Sequence, residues 1–373
     1  MSDLLRKSLR AFTPYKPGTT VDEVRRTYGI AQPIKLSQNE NPLGTSPRAL
    51  QALHGVDALS VYFEDDHRAL KTRLAERYGL GPQSVILGHG SNELVQLAFT
   101  AFVDPADEVV MAQPSFGLFK KDAAIFAARA VEVPLRDGVH DLDAMLRAVT
   151  ARTKLVFVCD PNNPTGTRVE PEAFERFAAA LSPDVLLVID QAYREFMDAG
   201  ATDGVDILKR RPTTLVLRTA SKIWGLAAVR FGYGYTSPEI ARPMNSVRLP
   251  FNVARPAAVA VLAALDDVDF IERSLENNER GKRYLYGEFA RLGLRAYPTA
   301  ANFIAVEVEV EADAAYQALL ERGIIVRSGD GLGMPGRLRI SIGTPDENAA
   351  FIRELEALVA GWRGRVAEVG TVG

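Results

Sequence analysis

The sequence predicts an α/β fold: a mostly parallel sheet covered by helices, followed by a smaller α+β domain. Three observations carry this. Between about residues 85 and 235, short apolar runs alternate with helical stretches, as strand–helix–strand crossovers require. Several runs are apolar throughout, as strands buried on both faces are, and they end in polar residues: Cys159 precedes Asp160, Ile189 precedes Asp190, and Thr214–Leu217 runs into Thr219, Ser221 and Lys222. After Tyr235 the alternation stops, and a long stretch rich in Ala, Leu, Glu and Arg begins at Ala257. The 373 residues leave room for about two domains. The expected division is an N-terminal arm at 1–40, a large domain at 41–250 and a small domain at 251–373.

Composition excludes several function classes. Lys and Arg number 44 against 47 Asp and Glu, a net charge of -3 with no block of like charge, which argues against a nucleic-acid or membrane-binding face. The first residues, Met-Ser-Asp-Leu-Leu-Arg-Lys, hold no apolar targeting segment. Nor does any apolar stretch approach the ~18 residues of a membrane span, so a soluble, cytoplasmic protein is expected. The single cysteine, Cys159, can form no intrachain disulfide and reads as a small buried hydrophobe. His54, His67, His89 and His140 lie far apart without zinc-site spacing, and no metal is expected.

In chain order, residues 1–35 lack sustained periodicity, and Pro14 and Pro17 restrict the segment around Tyr15; an arm is expected there rather than a packed element. Lys35 to Gly44 is a short extended piece that breaks into Asn-Pro-Gly turn chemistry. Leu70, Leu74 and Tyr78 mark one face of a helix that Gly79 ends, with Tyr62 exposed before it. Val85–Gly88 and Glu108–Gln113 read as strands, followed respectively by a helix from Leu94 to Phe102 and by Pro114-Ser115-Phe116-Gly117. Lys154–Cys159 and Val185–Ile189 read as buried strands. Beyond 257, strands are expected at 302–308 and 337–342 and helices at 313–322 and 346–361.

The polar residues at strand ends are the candidate site, because open α/β sheets bind ligands there. Lys222 is either an ordinary solvated lysine or an amine that forms an imine with an aldehyde; Thr219, Ser221 and Arg230 beside it suit a phosphate. Pyridoxal phosphate has both groups. Ser91 and Asn92 either cap a helix or present its N-terminus to an anion. Phe116 either fills core or lies on a flat ring, and Asn163 is either a turn former or a ligand. Asp190, with Tyr193 three residues on, closes a buried strand. Arg327 and Arg339 stand on or beside apolar runs, where a charge either faces solvent or binds an anion.

The order Asn163 in Asn-Asn-Pro-Thr-Gly, Asp190 with Tyr193, Lys222 with Arg230, and Arg339 in Leu-Arg-Ile-Ser-Ile-Gly resembles the fold-type I pyridoxal-phosphate aminotransferases. Within that superfamily the chain is most similar to histidinol-phosphate aminotransferases, through Pro14–Gly18, Leu36–Gly44, Pro250–Val253, Ala301–Phe303 and Gly343-Thr344. The resemblance implies a seven-stranded, mostly parallel sheet and a homodimer acting on small molecules. It implies catalytic roles for Lys222, Asp190 and Tyr193: Lys222 carries the cofactor and shuttles a proton, Asp190 pairs with the pyridinium nitrogen, and Tyr193 and Asn163 bond the ring oxygen. Phe116 would stack on the ring, while Ser91, Asn92, Thr219, Ser221, Arg230 and a neighbouring subunit's Tyr62 would hold the phosphate. Arg339 would bind the donor carboxylate and, with Arg327 and Tyr15, the substrate phosphate. The implied reaction joins histidinol phosphate and 2-oxoglutarate in histidine biosynthesis. Gln191, Phe63 and Phe119 depart from the family pattern. Phe119 in particular leaves room for an aromatic amino-acid aminotransferase, and a threonine-phosphate decarboxylase-like lyase is the other rival.

Overall fold

In chain order the strands are β1 (Ile34–Lys35), β2 (Val85–His89), β3 (Glu108–Gln113), β4 (Arg129–Pro134), β5 (Thr153–Cys159), β6 (Leu186–Asp190), β7 (Thr214–Thr219), β8 (Phe231–Thr236), β9 (Phe303–Glu307), β10 (Ile324–Ile325), β11 (Arg327–Ser328) and β12 (Arg337–Ser341). The computed structural model describes residues 4–10, 18–57, 59–64 and 66–370. One sheet has seven strands in the order β2-β8-β7-β6-β5-β3-β4. The pairs among β3 to β7 are parallel, and only β8 runs against its neighbours. The cause is local. Parallel strands need a long crossover, normally a helix, and residues 220–230 supply only the 3-10 turn Ala227–Val229. The chain therefore climbs β7 and descends β8 beside it.

Burial follows the two-residue period of strands. Leu215 and Leu217 of β7 face a cluster with Leu94, Phe99 and Phe157. Val216 between them faces Val205, Trp224 and Tyr233 on the other side. With helices on both faces, β6 and β7 are buried along their whole length.

The second sheet, β11-β12-β9, is antiparallel. Ile304, Val306, Leu338 and Ile340 pack there against Leu285, Phe289, Leu319, Phe351 and Leu355. These come from the helices Val268–Arg291, Ala312–Leu320 and Pro345–Gly370. The long helical region expected from Ala257 onward is two helices, Arg255–Ala264 and Val268–Arg291, separated by a turn.

The N-terminal region differs from expectation, because part of it is packed. Val21–Tyr28 is a helix whose Val24 is fully buried against Leu320 and Ile325. Thr20 caps it by accepting from Glu23 N at 3.1 Å, and Gly29 ends it at φ 68°, the start and stop signals of a short helix. β1 then pairs in parallel with β10, and Leu36 joins the core of the second sheet. Among the described residues, no helix is long and apolar enough to cross a membrane.

Candidate active site

Register brings the polar strand ends together. Asp190, at the end of β6, lies between Cys159 of β5 and Leu217 of β7. Only 3% of it is exposed, and its Oδ1 accepts from Ala192 N at 3.1 Å. Burial pushes its carboxyl up to about 6, against the opposing pull of that N–H and of Arg218 and Lys222. Lys222 follows β7, with Nζ donating to the Gln38 carbonyl at 3.1 Å and lying 5.6 Å from the centre of the Tyr193 ring. Burial brings its ammonium down to about 8, and Arg339 and Arg230 act in the same direction. A lysine that loses its proton so near neutrality can serve as nucleophile or base.

Tyr193 is buried, and burial raises its phenol to about 12. Its oxygen receives Asn39 Nδ2 at 2.9 Å and Asn163 Nδ2 at 3.4 Å. Asn163 Oδ1 accepts from Arg339 Nη1 at 2.7 Å. The two adjacent asparagines thus part company. Asn162 bonds Ser115, Pro114 and Thr165 and holds the loop, while Asn163 faces Tyr193.

An anion cradle lies beside Lys222, and reversal of β8 builds it. Thr219 pairs with Gly232 and Gly90 bridges to Phe231, so the start of β8 meets the N-terminus of the helix Ser91–Phe102. Gly232 lies so close that a Cβ on it would stand 2.1 Å from Ser91 N, and one on Gly90 would stand 2.6 Å from an Arg230 guanidinium nitrogen. Ser91 and Asn92 are the first two helical residues, and Gly90 is the cap; neither caps the helix with its side chain, and the first N–H groups of a helix lack helical partners. Thr219 Oγ1 bonds Ser221 Oγ at 3.0 Å. Two hydroxyls, a guanidinium and a helix N-terminus therefore converge, although the Asn92 side chain points to solvent.

Arg339 Nη2 donates to the Ser37 carbonyl at 2.7 Å, and Arg327 is its partner across β11–β12. Four consecutive carbonyls are engaged here. Leu36 O accepts from Ser341 N at 2.9 Å, Ser37 O from Arg339, Gln38 O from Lys222, and Asn39 O from Asn302 Nδ2 at 3.1 Å. Sequence reasoning gave Asn39, Gln38 and Ser341 no role; the Asn-Glu-Asn-Pro turn was visible, but not what it touches.

Residues 31–355 match the family model described as aminotransferase class I and II. The chain belongs to this family. It is 41% identical over 359 residues to a protein of Carboxydothermus hydrogenoformans named histidinol-phosphate aminotransferase 2, covering 95% of this chain and 99% of that relative. A histidinol-phosphate aminotransferase of Moorella thermoacetica is 42% identical over 358 residues, covering 95% and 93%. The crystal structure of histidinol-phosphate aminotransferase from Sinorhizobium meliloti in complex with pyridoxal-5'-phosphate superposes with a TM-score of 0.85 at 28% identity, covering 95% of this chain and 98% of that one.

The remaining residues singled out in the sequence of this aminotransferase take varied places. Phe119, weighed as a substrate-pocket residue, is 1% exposed and stacks on Phe157 at 4.3 Å, so it belongs to the core. Phe116 is half-buried, meets Phe119 edge-on at 5.6 Å, and follows Ser115, which bonds Asn162. Gln191 is fully buried: its Nε2 donates to Thr202 O and its Oε1 accepts from Gly204 N, both at 2.9 Å. That amide ties down the turn carrying Asp190 and Tyr193. Phe63 packs against His67 and Phe251. Tyr62 stacks on Phe251 at 4.6 Å with 83% of its surface exposed. Tyr15 lies outside the described residues.

Proposed function

We propose that this aminotransferase carries pyridoxal 5'-phosphate and moves an amino group between the pair histidinol phosphate and 2-oxoglutarate and the pair imidazole acetol phosphate and glutamate, in histidine biosynthesis, with glutamate as the amino donor. The observation that carries the substrate reading is the in-register pair Arg327–Arg339, of which Arg339 acts on Lys222. Two guanidinium groups suit a phosphate dianion, and one suffices for the carboxylate of glutamate. The names of relatives at about 40% identity over nearly the whole chain support the same substrate.

The residues fit the cofactor. A buried carboxylate whose proton affinity is raised, such as Asp190, favours a cationic partner, which the ring nitrogen supplies. Tyr193 and Asn163 would bond a ring oxygen, and Phe116 would cover a ring face. Ser91, Thr219, Ser221 and Arg230, with the backbone N–H of Asn92, would hold its phosphate. When bound, pyridoxal phosphate supplies an electron sink for the charge left when the substrate Cα loses its proton. Lys222, with its ammonium near 8, takes that proton as general base. Arg339 fixes the donor carboxylate, and Arg327 with Tyr15 completes the substrate-phosphate site.

The proposal includes a cytoplasmic homodimer in which Tyr62 reaches the neighbouring subunit's phosphate site. Its exposure, beside exposed Leu59, Val61 and Leu249, supports this, since contiguous exposed apolar surface marks interaction sites. It also includes the division of the chain into an arm, a large domain and a small domain. The deciding assay offers purified protein histidinol phosphate, phenylalanine, tyrosine or aspartate with 2-oxoglutarate. Histidinol phosphate should give the highest kcat/KM. A preference for phenylalanine would replace this reading with an aromatic amino-acid aminotransferase, and release of carbon dioxide from phosphothreonine would replace it with a lyase.

A further inference from the structure

Asn39 joins three parts of the fold. It is 1% exposed, and its φ of 55° lies in the left-handed region, which asparagine tolerates better than most residues. Its N–H donates to Ser341 Oγ at 2.8 Å, its Oδ1 accepts from Ser341 Oγ at 3.3 Å, and its Nδ2 donates to the Tyr193 hydroxyl at 2.9 Å. Its carbonyl accepts from Asn302 Nδ2. Ser341 ends β12 and Asn302 immediately precedes β9 of the second sheet, whereas Tyr193 follows β6 of the first.

These contacts fix the direction of two amides. Arginine only donates, so Arg339 on Asn163 Oδ1 turns Asn163 Nδ2 toward Tyr193. Ser341 Oγ accepts from the Asn39 N–H and donates its own hydrogen to Asn39 Oδ1, which leaves Asn39 Nδ2 directed at Tyr193 as well. A phenol oxygen has two lone pairs and one hydrogen. Both lone pairs here receive amide hydrogens, at 2.9 and 3.4 Å. The phenolic hydrogen is left for an acceptor in the cleft.

We infer that Asn39 is a positioning residue of this active site: by filling one lone pair of Tyr193 it makes the phenol a donor toward the ring oxygen of the cofactor. This rests on the proposed role of Tyr193. Ser341 holds the Asn39 amide in its working orientation. Lys222, Arg339, Cys159 and Asp190 are the other charged or titratable groups facing Tyr193; the Asn39 amide bonds Tyr193 and Ser341 rather than any of them.

The test is the pH titration of the visible absorbance of the cofactor-loaded protein, with cofactor affinity of the stripped protein as a second reading. A hydrogen bond donated to an anionic oxygen favours its deprotonated form, so losing the bond raises the midpoint. Tyr193→Phe gives the full shift. Asn39→Gly keeps the left-handed backbone without strain and removes the amide; it should raise the midpoint by about one pH unit and weaken cofactor binding about tenfold, the size of one hydrogen bond. Ser341→Ala frees the amide to rotate and should give a smaller shift in the same direction. In a Tyr193→Phe background, Asn39→Gly should add nothing. If Tyr193→Phe moves the midpoint and Asn39→Gly does not, or if the two shifts add, Asn39 merely holds its loop and the inference fails. If Tyr193→Phe moves nothing, the role of Tyr193 falls and that of Asn39 with it. Should Asn39→Gly not fold, Ser341→Ala decides alone: a raised midpoint supports the inference and a wild-type midpoint overturns it.

Discussion

Arg327 and Arg339 sit directly opposite each other across the antiparallel β11–β12 pair, so their side chains leave the same face of the sheet. Twelve positions apart in sequence, they become neighbours because the chain turns back between them. Removing one charged partner costs roughly 1.5–3 kcal/mol. Arg327→Ala should therefore lower kcat/KM for histidinol phosphate about 10- to 100-fold. Turnover of phenylalanine should change much less, because its carboxylate still has Arg339. Steady-state kinetics with both substrates check this, and an equal loss for both would detach Arg327 from the phosphate.

Lys222 should be the residue that carries the cofactor. Borohydride treatment of the loaded protein followed by peptide mapping should mark it, and a label on another lysine would reassign the site.

Asp190→Asn should have opposite effects with and without cofactor. In the stripped protein the carboxyl is raised from 3.8 to about 6 by burial. Between those values the folded state holds the proton that the unfolded chain has lost, so stability falls as pH rises through that window. The penalty is complete above about pH 6 and absent below 3.8. At pH 7 its removal should stabilise the stripped protein by on the order of 2–3 kcal/mol, seen as a higher Tm. The same variant should bind pyridoxal phosphate more weakly and turn over far more slowly. A lower Tm without cofactor would show that Asp190 is not a strained carboxylate.

Tyr62→Ala and Lys222→Ala subunits, each inactive alone, should regain activity when mixed under conditions that exchange subunits. One site of such a heterodimer has both residues. Proven exchange without recovered turnover would end the shared-site model.

Gln191→Glu should destabilise the fold, since a carboxylate cannot donate to Thr202 O. The carbonyl would lose its partner and the new charge would be buried, costing about 1–3 kcal/mol or more. Thermal melts at pH 7 measure it, and an unchanged Tm would mean that water takes over the bond.

The central strands were legible in the sequence because burial on both faces leaves long apolar runs, as in Leu186–Ile189. Asp190 and Lys222 stood out because they sit at or just beyond such runs, and Arg230 because it follows Lys222 by eight positions. That Ser91 and Arg230 would meet came from the family resemblance alone, since the cradle depends on β8 reversing and carrying Arg230 to Gly90. Phe119 gave no local sign that it would stack on Phe157. The helix Val21–Tyr28 carried its signals in Thr20, Glu23 and Gly29, but only Val24 is buried, too little for a periodic pattern to stand out. Asn39 and Gln191 act through bonds to residues distant in sequence, and no spacing rule reports those.

The four engaged carbonyls from Leu36 to Asn39 constrain how this segment can evolve in length. An inserted or deleted residue would slide the backbone by about 3.3 Å and present each acceptor to the wrong donor, disturbing Lys222, Arg339, Ser341 and Asn302 together. A substitution at exposed Gln38 can be absorbed, because its bond to Lys222 runs from the backbone; a change in residue number cannot. Insertions should instead accumulate in exposed connections such as 182–184, which are open to solvent, so that the spacing from β1 to Asn39 works as a fixed ruler against which the rest of the chain varies.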